Sequence, residues 1–191
     1  MNKKYFGDKE TFAIRYVPEF KSTYQGHTWY YAYLHLQLGG QIIGTIEESC
    51  SAPNWTYKAA LLLDRLTNHF DKFSHPEFLN RTDQEIFELV WKSNQLDTEF
   101  DPQYAYLPQL DNNVWVYCGL GLGETIDAYL ITITAFDNVI KFIWKGWRDP
   151  CPKHEIGILN SVSVDKDVVI ETLDQCIKYV DKDLRNYKER R

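Results

Sequence analysis

The sequence predicts an α+β fold: a mostly antiparallel sheet of about six to seven strands, with about three helices packed on one of its faces. Three observations carry this expectation. Segments with a period of two follow one another through short turns, without the helix that a parallel crossover needs. Two longer segments, 57–73 and 167–187, change to a period near 3.6. The resulting order, βββαα–βββ–βα, builds a sheet from hairpins and leaves its helices to cover one side. A chain of 191 residues, 44% of them hydrophobic, suits one domain over 1–191 with a core of its own.

TFAIRYV (11–17) is the first expected strand, stopped by Pro18. GHTWYYAYLHLQLGGQIIG (26–44) holds the second. Its alternation puts Tyr30, Ala32, Leu34, Leu36 and Leu38 on a core face, and Trp29, Tyr31, Tyr33, His35 and Gln37 on the other. Gly39-Gly40 suits a two-residue hairpin turn, after which QIIGTIEES (41–49) returns antiparallel. Glu47 and Glu48, adjacent on that strand, would point to opposite faces. In YKAALLLDRLTNHFDKF (57–73), Ala59, Leu62 or Leu63, Leu66, Phe70 and Phe73 share one helical face. A second helix opens at Thr82-Asp83-Gln84-Glu85, the spacing of a capping box, with Ile86, Leu89 and Val90 as its apolar stripe.

The segment 97–113, with its prolines and the acids Asp97, Glu99 and Asp101, reads as a surface loop. Three strands are expected after it: VWVYC (114–118), IDAYLITITAF (126–136) and VIKFIWKGW (139–147), the last two joined at Asp137-Asn138. The third carries apolar residues on both faces. ILNSVSV (158–164) is a short strand before a final helix from about Asp167 to Tyr187. Val169, Leu173, Cys176 or Ile177, Val180, Leu184 and Tyr187 form that helix's buried stripe.

The formal net charge of −6 is unevenly spread. No Lys or Arg lies between Lys21 and Lys58, where Glu47 and Glu48 fall. None lies between Lys92 and Lys141, where Asp97, Glu99, Asp101, Asp111, Glu124, Asp127 and Asp137 fall. The rest of the chain is net positive. Such a surface disfavours nucleic acid, whose binding requires phosphate neutralisation, and suits a basic protein partner. The longest apolar runs, such as Leu61-Leu62-Leu63, are too short for a bilayer, and the charged start MNKKYFGDKE lacks the apolar segment of a secretory signal. Cys50, Cys118, Cys151 and Cys176 are scattered, which fits buried thiols in a reducing cytoplasm and gives no close ligand pair for a metal.

Motifs that point to chemistry fail on context. GLGLGE (119–124) mimics a nucleotide loop but leads towards a strand, where a phosphate cradle needs a helix N-terminus. His27, His35, His69, His75 and His154 form no metal-binding spacing, and no elbow surrounds Ser49-Cys50-Ser51. No cofactor, metal or catalytic constellation is expected. An alternative is a small hydrolase or ligand-binding enzyme using Glu47 or Glu48 with a distant histidine, and another is a homodimeric scaffold joined through the aromatic face. The strongest signal is that face itself. Trp29, Tyr31, Tyr33 and His35, with Glu47, Glu48, Asp97, Glu99 and Asp101, form a candidate partner-binding surface of amphipathic rings beside acids.

FGDKETFAIRYVPEF, followed by WYYAYLHLQLGGQIIGTIEES, resembles the immunity protein 42 family of bacterial polymorphic toxin systems. The carried features are Phe6-Gly7-Asp8, Phe12-Ala13-Ile14, Tyr16, the aromatic strand with its glycine turn, and Ile43-Gly44-Thr45-Ile46-Glu47-Glu48. They span roughly the first 65 residues. The resemblance implies a cytoplasmic, non-enzymatic protein that binds and blocks the C-terminal domain of a cognate toxin. It brings no catalytic residue. The acidic windows favour a basic toxin domain, such as a nuclease.

Overall fold

The computed structural model describes residues 3–92, 108, 110 and 112–189. Five strands come first: β1 (Lys4–Asp8), β2 (Phe12–Tyr24), β3 (His27–Leu38), β4 (Gln41–Ile43) and β5 (Cys50–Ser51). Three helices follow: α1 (Ala52–Asn68), α2 (Asp83–Lys92) and α3 (Asn112–Cys118). The chain then forms β6 (Tyr129–Phe136), β7 (Val139–Gly146) and β8 (Leu159–Asp165), and closes with α4 (Lys166–Glu189).

The α+β class and the antiparallel pairing agree with the sequence, but the strands form two sheets and not one. The first has order β1-β2-β3-β4 with β5 also paired to β3, and the second has order β6-β7-β8. One apolar cluster draws on both. Ile14, Leu34 and Leu36 of the first sheet share it with Ile131, Ile133 and Trp144 of the second, with Trp55, Ala59 and Leu66 of α1, and with Val169, Leu173 and Val180 of α4. Phe12 and Phe142 stack across the two sheets at 5.2 Å between ring centroids. Two sheets that each carry large apolar side chains bury more surface through those side chains than by joining edges. The other side of β7 is buried as well: Ile143 belongs to a second cluster with Ile86, Phe87 and Val90 of α2 and Val114 and Cys118 of α3. That two-sided burial accounts for the apolar residues on both faces of VIKFIWKGW.

Several boundaries depart from the sequence expectation for identifiable reasons. Pro18 does not end the first long strand, because β1 pairs no further along β2 than Tyr16 and, among the described residues, no neighbour there needs an N–H from Pro18. A register shift between Pro18 and Phe20 absorbs the irregularity, and β2 continues to Tyr24. β4 is only three residues long, because Gly44 turns the chain out of the ladder at φ +105°. Glu47 and Glu48 therefore lie exposed in a turn closed by Glu48 N donating to Thr45 O at 3.0 Å, and not on a strand. α1 starts at Ala52, with Ser51 as its N-cap and a proline in its first turn, where a missing N–H costs nothing. A 3₁₀ turn, Phe70–Phe73, extends its buried face to Phe73. VWVYC forms α3 and not a strand: Val114 and Cys118, four apart, are buried, while Trp115 and Val116 are exposed.

The capping box of α2 is present. Thr82 N donates to Glu85 Oε2 at 2.7 Å, and Glu85 N donates to Thr82 Oγ1 at 3.3 Å. α4 buries Val169, Leu173, Cys176 and Val180 as its period requires. Among the described residues no helix is long and apolar enough to cross a membrane.

Candidate partner-binding face of the first sheet

Antiparallel pairing of β2 and β3 places one row of side chains on the face turned away from the main core. From the sheet centre outward the pairs are Ala13 with Gln37, Arg15 with His35 and Val17 with Tyr33. Beyond the bulge they continue as Phe20 with Tyr31, Ser22 with Trp29 and Tyr24 with His27. Among the described residues, no third strand pairs with the ribbon past Tyr31: β1 stops opposite Tyr16, β4 opposite Leu36 and β5 opposite Tyr31. A two-stranded ribbon remains, closed by Gln25 and Gly26 at φ 48° and 78°, the mirror-type turn that matches strand twist.

This ribbon carries large apolar side chains in water. Phe20 is 51% exposed, Trp29 51% and Tyr24 68%, and all three lie on the same face. The Phe20 and Tyr31 rings stack at 4.7 Å between centroids, which fixes them at little further entropic cost. Burial within this fold does not account for large apolar side chains left half in water.

Towards the sheet centre the row becomes polar and supported. Tyr33 OH donates to Glu19 Oε1 at 3.0 Å. That bond, with desolvation and the Glu19 charge, raises the pKa of the Tyr33 phenol, and Glu47 adds a smaller push in the same direction. The Tyr33 and His35 rings lie nearly parallel at 6.4 Å. His35 Nδ1 accepts from Arg15 Nη1 at 3.0 Å, and Nε2 donates to the Thr45 carbonyl at 2.7 Å. A guanidinium can only donate and a carbonyl can only accept, so the ring is neutral with its proton on Nε2. Burial lowers the His35 pKa, and the nearby Arg15 charge adds to the shift.

Of the residues expected at this surface, Trp29, Tyr31 and Tyr33 share one face, and Glu47 lies within electrostatic reach of Tyr33. His35 corrects the expectation. It faces the same way but is completely buried, because the turn that holds Thr45 folds over it. It positions the segment of Glu47 and Glu48 and cannot itself meet a partner. Asp97, Glu99 and Asp101 lie outside the described residues. Phe20 and Tyr24 belong to the same row and lie beyond Pro18, where the sequence ends the first strand; Arg15, inside that strand, joins the row opposite His35, and the bulge residue Glu19 joins it through Tyr33. The mirrored alternation on either side of Gln25-Gly26 is the signal that could have revealed Phe20 and Tyr24.

The hydrolase alternative needs a carboxylate and a free histidine nitrogen in one pocket. Glu47 and Glu48 are instead exposed in a turn, and both nitrogens of His35 are engaged. Among the described residues no three His, Cys, Asp or Glu side chains cluster as metal ligands.

A model of the immunity protein 42 family matches residues 1–179. Among solved structures, the chain is similar to the crystal structure of CdiI from Burkholderia dolosa AUO158. Identity is 13%, the TM-score is 0.53, and the match covers 92% of this chain and 99% of that one. At that identity the likeness concerns the fold. No curated protein matches the chain. Because the family match runs from the first strand of the first sheet into the final helix, the chain belongs to the immunity protein 42 family.

Proposed function

We propose that the protein neutralises a cognate bacterial toxin by binding its C-terminal domain in the cytoplasm, as a single-domain inhibitor that performs no chemistry of its own. The observation that carries this reading is the aromatic row of the β2–β3 ribbon, with Phe20, Tyr24 and Trp29 exposed and continued by the half-buried Tyr31 and Tyr33. Aromatic rings with few rotatable bonds give large contact area at low entropic cost, and they dominate the energetics of protein interfaces. A narrow projecting ribbon fits a concave target, such as a toxin's active-site cleft. Glu19, Glu47 and Glu48 lie near the base of the row, where they would face the rim of such a cleft. The two acidic windows of the sequence favour a basic toxin domain, such as a nuclease, and association accelerated by charge.

Co-expression with the toxin domain encoded beside this gene tests the role: cells should survive with this protein and die without it. Isothermal titration with that domain, inactivated at its own catalytic residue, tests the surface. Trp29→Ala and Phe20→Ala should each weaken binding by about tenfold to a hundredfold, the range of an interface anchor, with little change in melting temperature. Glu47→Lys with Glu48→Lys should slow association and reduce its salt dependence. Full protection together with unchanged affinity in the aromatic variants would leave the role standing and move the interface elsewhere. Cell death with abundant soluble protein would reject the role.

A further inference from the structure

The run Gly119-Leu120-Gly121-Leu122-Gly123 does not cradle a nucleotide, but its alternation is spatial. Leu120 and Leu122 are buried, whereas Gly121 is exposed. Gly119 bridges Thr132 of β6, and Leu120 N donates to Ile131 O at 3.0 Å, so the run begins as a partial strand on the free edge of β6. At Gly121 the pairing stops: among the described residues neither its N–H nor its carbonyl has a partner. A Cβ placed on Gly121 would meet nothing within 4 Å. Bare backbone therefore floors a groove of about 370 Å³, walled by Arg65 of α1, by Trp115 and Val116 of α3 and by Trp91. A smaller recess continues it along α1 past Lys58 and Leu61.

The groove's charge is the reverse of the chain's. Among the described residues, Arg65 and Lys58 line it, no acid does, and neither cation forms an ion pair. Arg65 is held in place: Nη1 donates to Val116 O at 2.7 Å, and the guanidinium lies 5.8 Å from the Tyr117 ring centroid. Its remaining N–H groups are left to serve a carboxylate. Trp115 meets Trp91 edge to face at 4.6 Å, a rigid apolar surface beside the cation.

We propose that this groove binds an extended, acidic segment of a protein partner. The segment's backbone pairs with Gly121, one of its carboxylates takes the free edge of the Arg65 guanidinium, and an apolar neighbour rests on Trp115. Adding an extended peptide to an open strand edge supplies affinity through the main chain, while the arginine supplies selectivity for acid. Complementarity decides the partner's charge, since a trough lined by Arg65 and Lys58 on a molecule of net charge −6 attracts what the rest of the surface repels. The site shares no lining residue with the aromatic ribbon and does not depend on the toxin assignment.

The probe is a capped heptapeptide of alternating valine and glutamate, compared with its glutamine counterpart and with capped glutamate alone. Each is titrated into the full chain and followed by the indole N–H resonances of Trp91 and Trp115. The acidic peptide should shift both resonances saturably, with affinity at least about tenfold above the glutamine peptide, as expected for a charge-assisted contact. Arg65→Gln keeps a donor for Val116 O and should reduce the acidic peptide to the level of the neutral one. Gly121→Val fills the open floor, so it should abolish binding while leaving the melting temperature unchanged. Equal binding of the two peptides, absence of a saturable shift, or undiminished binding by Gly121→Val each overturns the proposal. Capped glutamate binding as tightly as the heptapeptide overturns the peptide assignment in favour of a small-carboxylate pocket.

Discussion

Replacing His35 with phenylalanine keeps an aromatic ring between Arg15 and the Thr45 turn but removes both hydrogen-bonding nitrogens. Loss of the bond to the Thr45 carbonyl costs about 1 kcal/mol net. Loss of the acceptor for Arg15 costs more, because a hydrogen bond to a charged group contributes about 1.5–3 kcal/mol. Arg15 Nε is already buried without a partner, so Nη1 would become a second unsatisfied donor on the same guanidinium. Arg15 is only half-buried and can turn part of its charge to water, which favours the lower end of that range. The total is about 2–3 kcal/mol, or roughly 5–10 °C in melting temperature for a chain of this size. Urea unfolding followed by tryptophan fluorescence measures it. The mechanism is separable from mere cavity formation by a double-mutant cycle with Arg15→Met. If the stranded guanidinium is the main cost, the double variant should be about 1–2 kcal/mol more stable than the two single losses predict. A His35→Phe loss below about 0.5 kcal/mol, or strict additivity in the cycle, would falsify this account of the network.

Other outcomes follow from the same geometry. The folded-state pKa of His35 lies below its unfolded value near 6.5, so the unfolded chain takes up the proton first as pH falls. Its contribution to stability is complete above about pH 6.5 and is lost on acidification, with a limiting slope of about 1.4 kcal/mol per pH unit. Urea midpoints between pH 7.5 and 5 should therefore fall more steeply for the parent than for His35→Phe, and parallel profiles would contradict the buried neutral ring. Gly44→Ala places a methyl 1.8 Å from the Thr125 carbonyl oxygen at φ +105°, so it should cost more than about 3 kcal/mol or abolish soluble expression. An alanine variant as stable as the parent would show that the two segments do not approach so closely. Burial pushes the thiols of Cys50 and Cys118 up to about 12, and that of Cys176 upward as well. Iodoacetamide at pH 8 should leave these three unmodified in the native protein and alkylate them in urea, as read by mass spectrometry; rapid native labelling of any of them would be the contrary result.

Local structure was largely legible in the sequence, because its causes are local. The alternation of β3 correctly assigns Leu34, Leu36 and Leu38 to the core, and the helical period of α4 assigns Val169, Leu173 and Val180. The capping box at Thr82 and the turn at Asp137-Asn138 involve residues within four positions of one another, and both are present. The family resemblance rests on the same kind of local pattern in the first two strands and their glycine turn, and the family match bears it out.

What covers a face, and which edges meet, was decided only by tertiary structure. His35 and Gln37 look outward by alternation, yet the Thr45 turn covers one, and the carbonyls of Lys9 and Gly40 accept from Gln37 Nε2 at 3.1 and 3.2 Å. A run of five residues, VWVYC, is too short for its period to choose between strand and helix, and contact of Val114 and Cys118 with the second cluster settles it as α3. Pro18 ends a strand only if a neighbour needs its N–H, and the length of β1 removes that neighbour. The division into two sheets likewise depends on side chains more than a hundred residues apart, such as Phe12 and Phe142. Periodicity follows from backbone angles and neighbours within a turn, so a single sequence displays it. Coverage of a second face depends on distant segments brought together by burial of apolar surface, and their separation along the chain leaves no periodic trace.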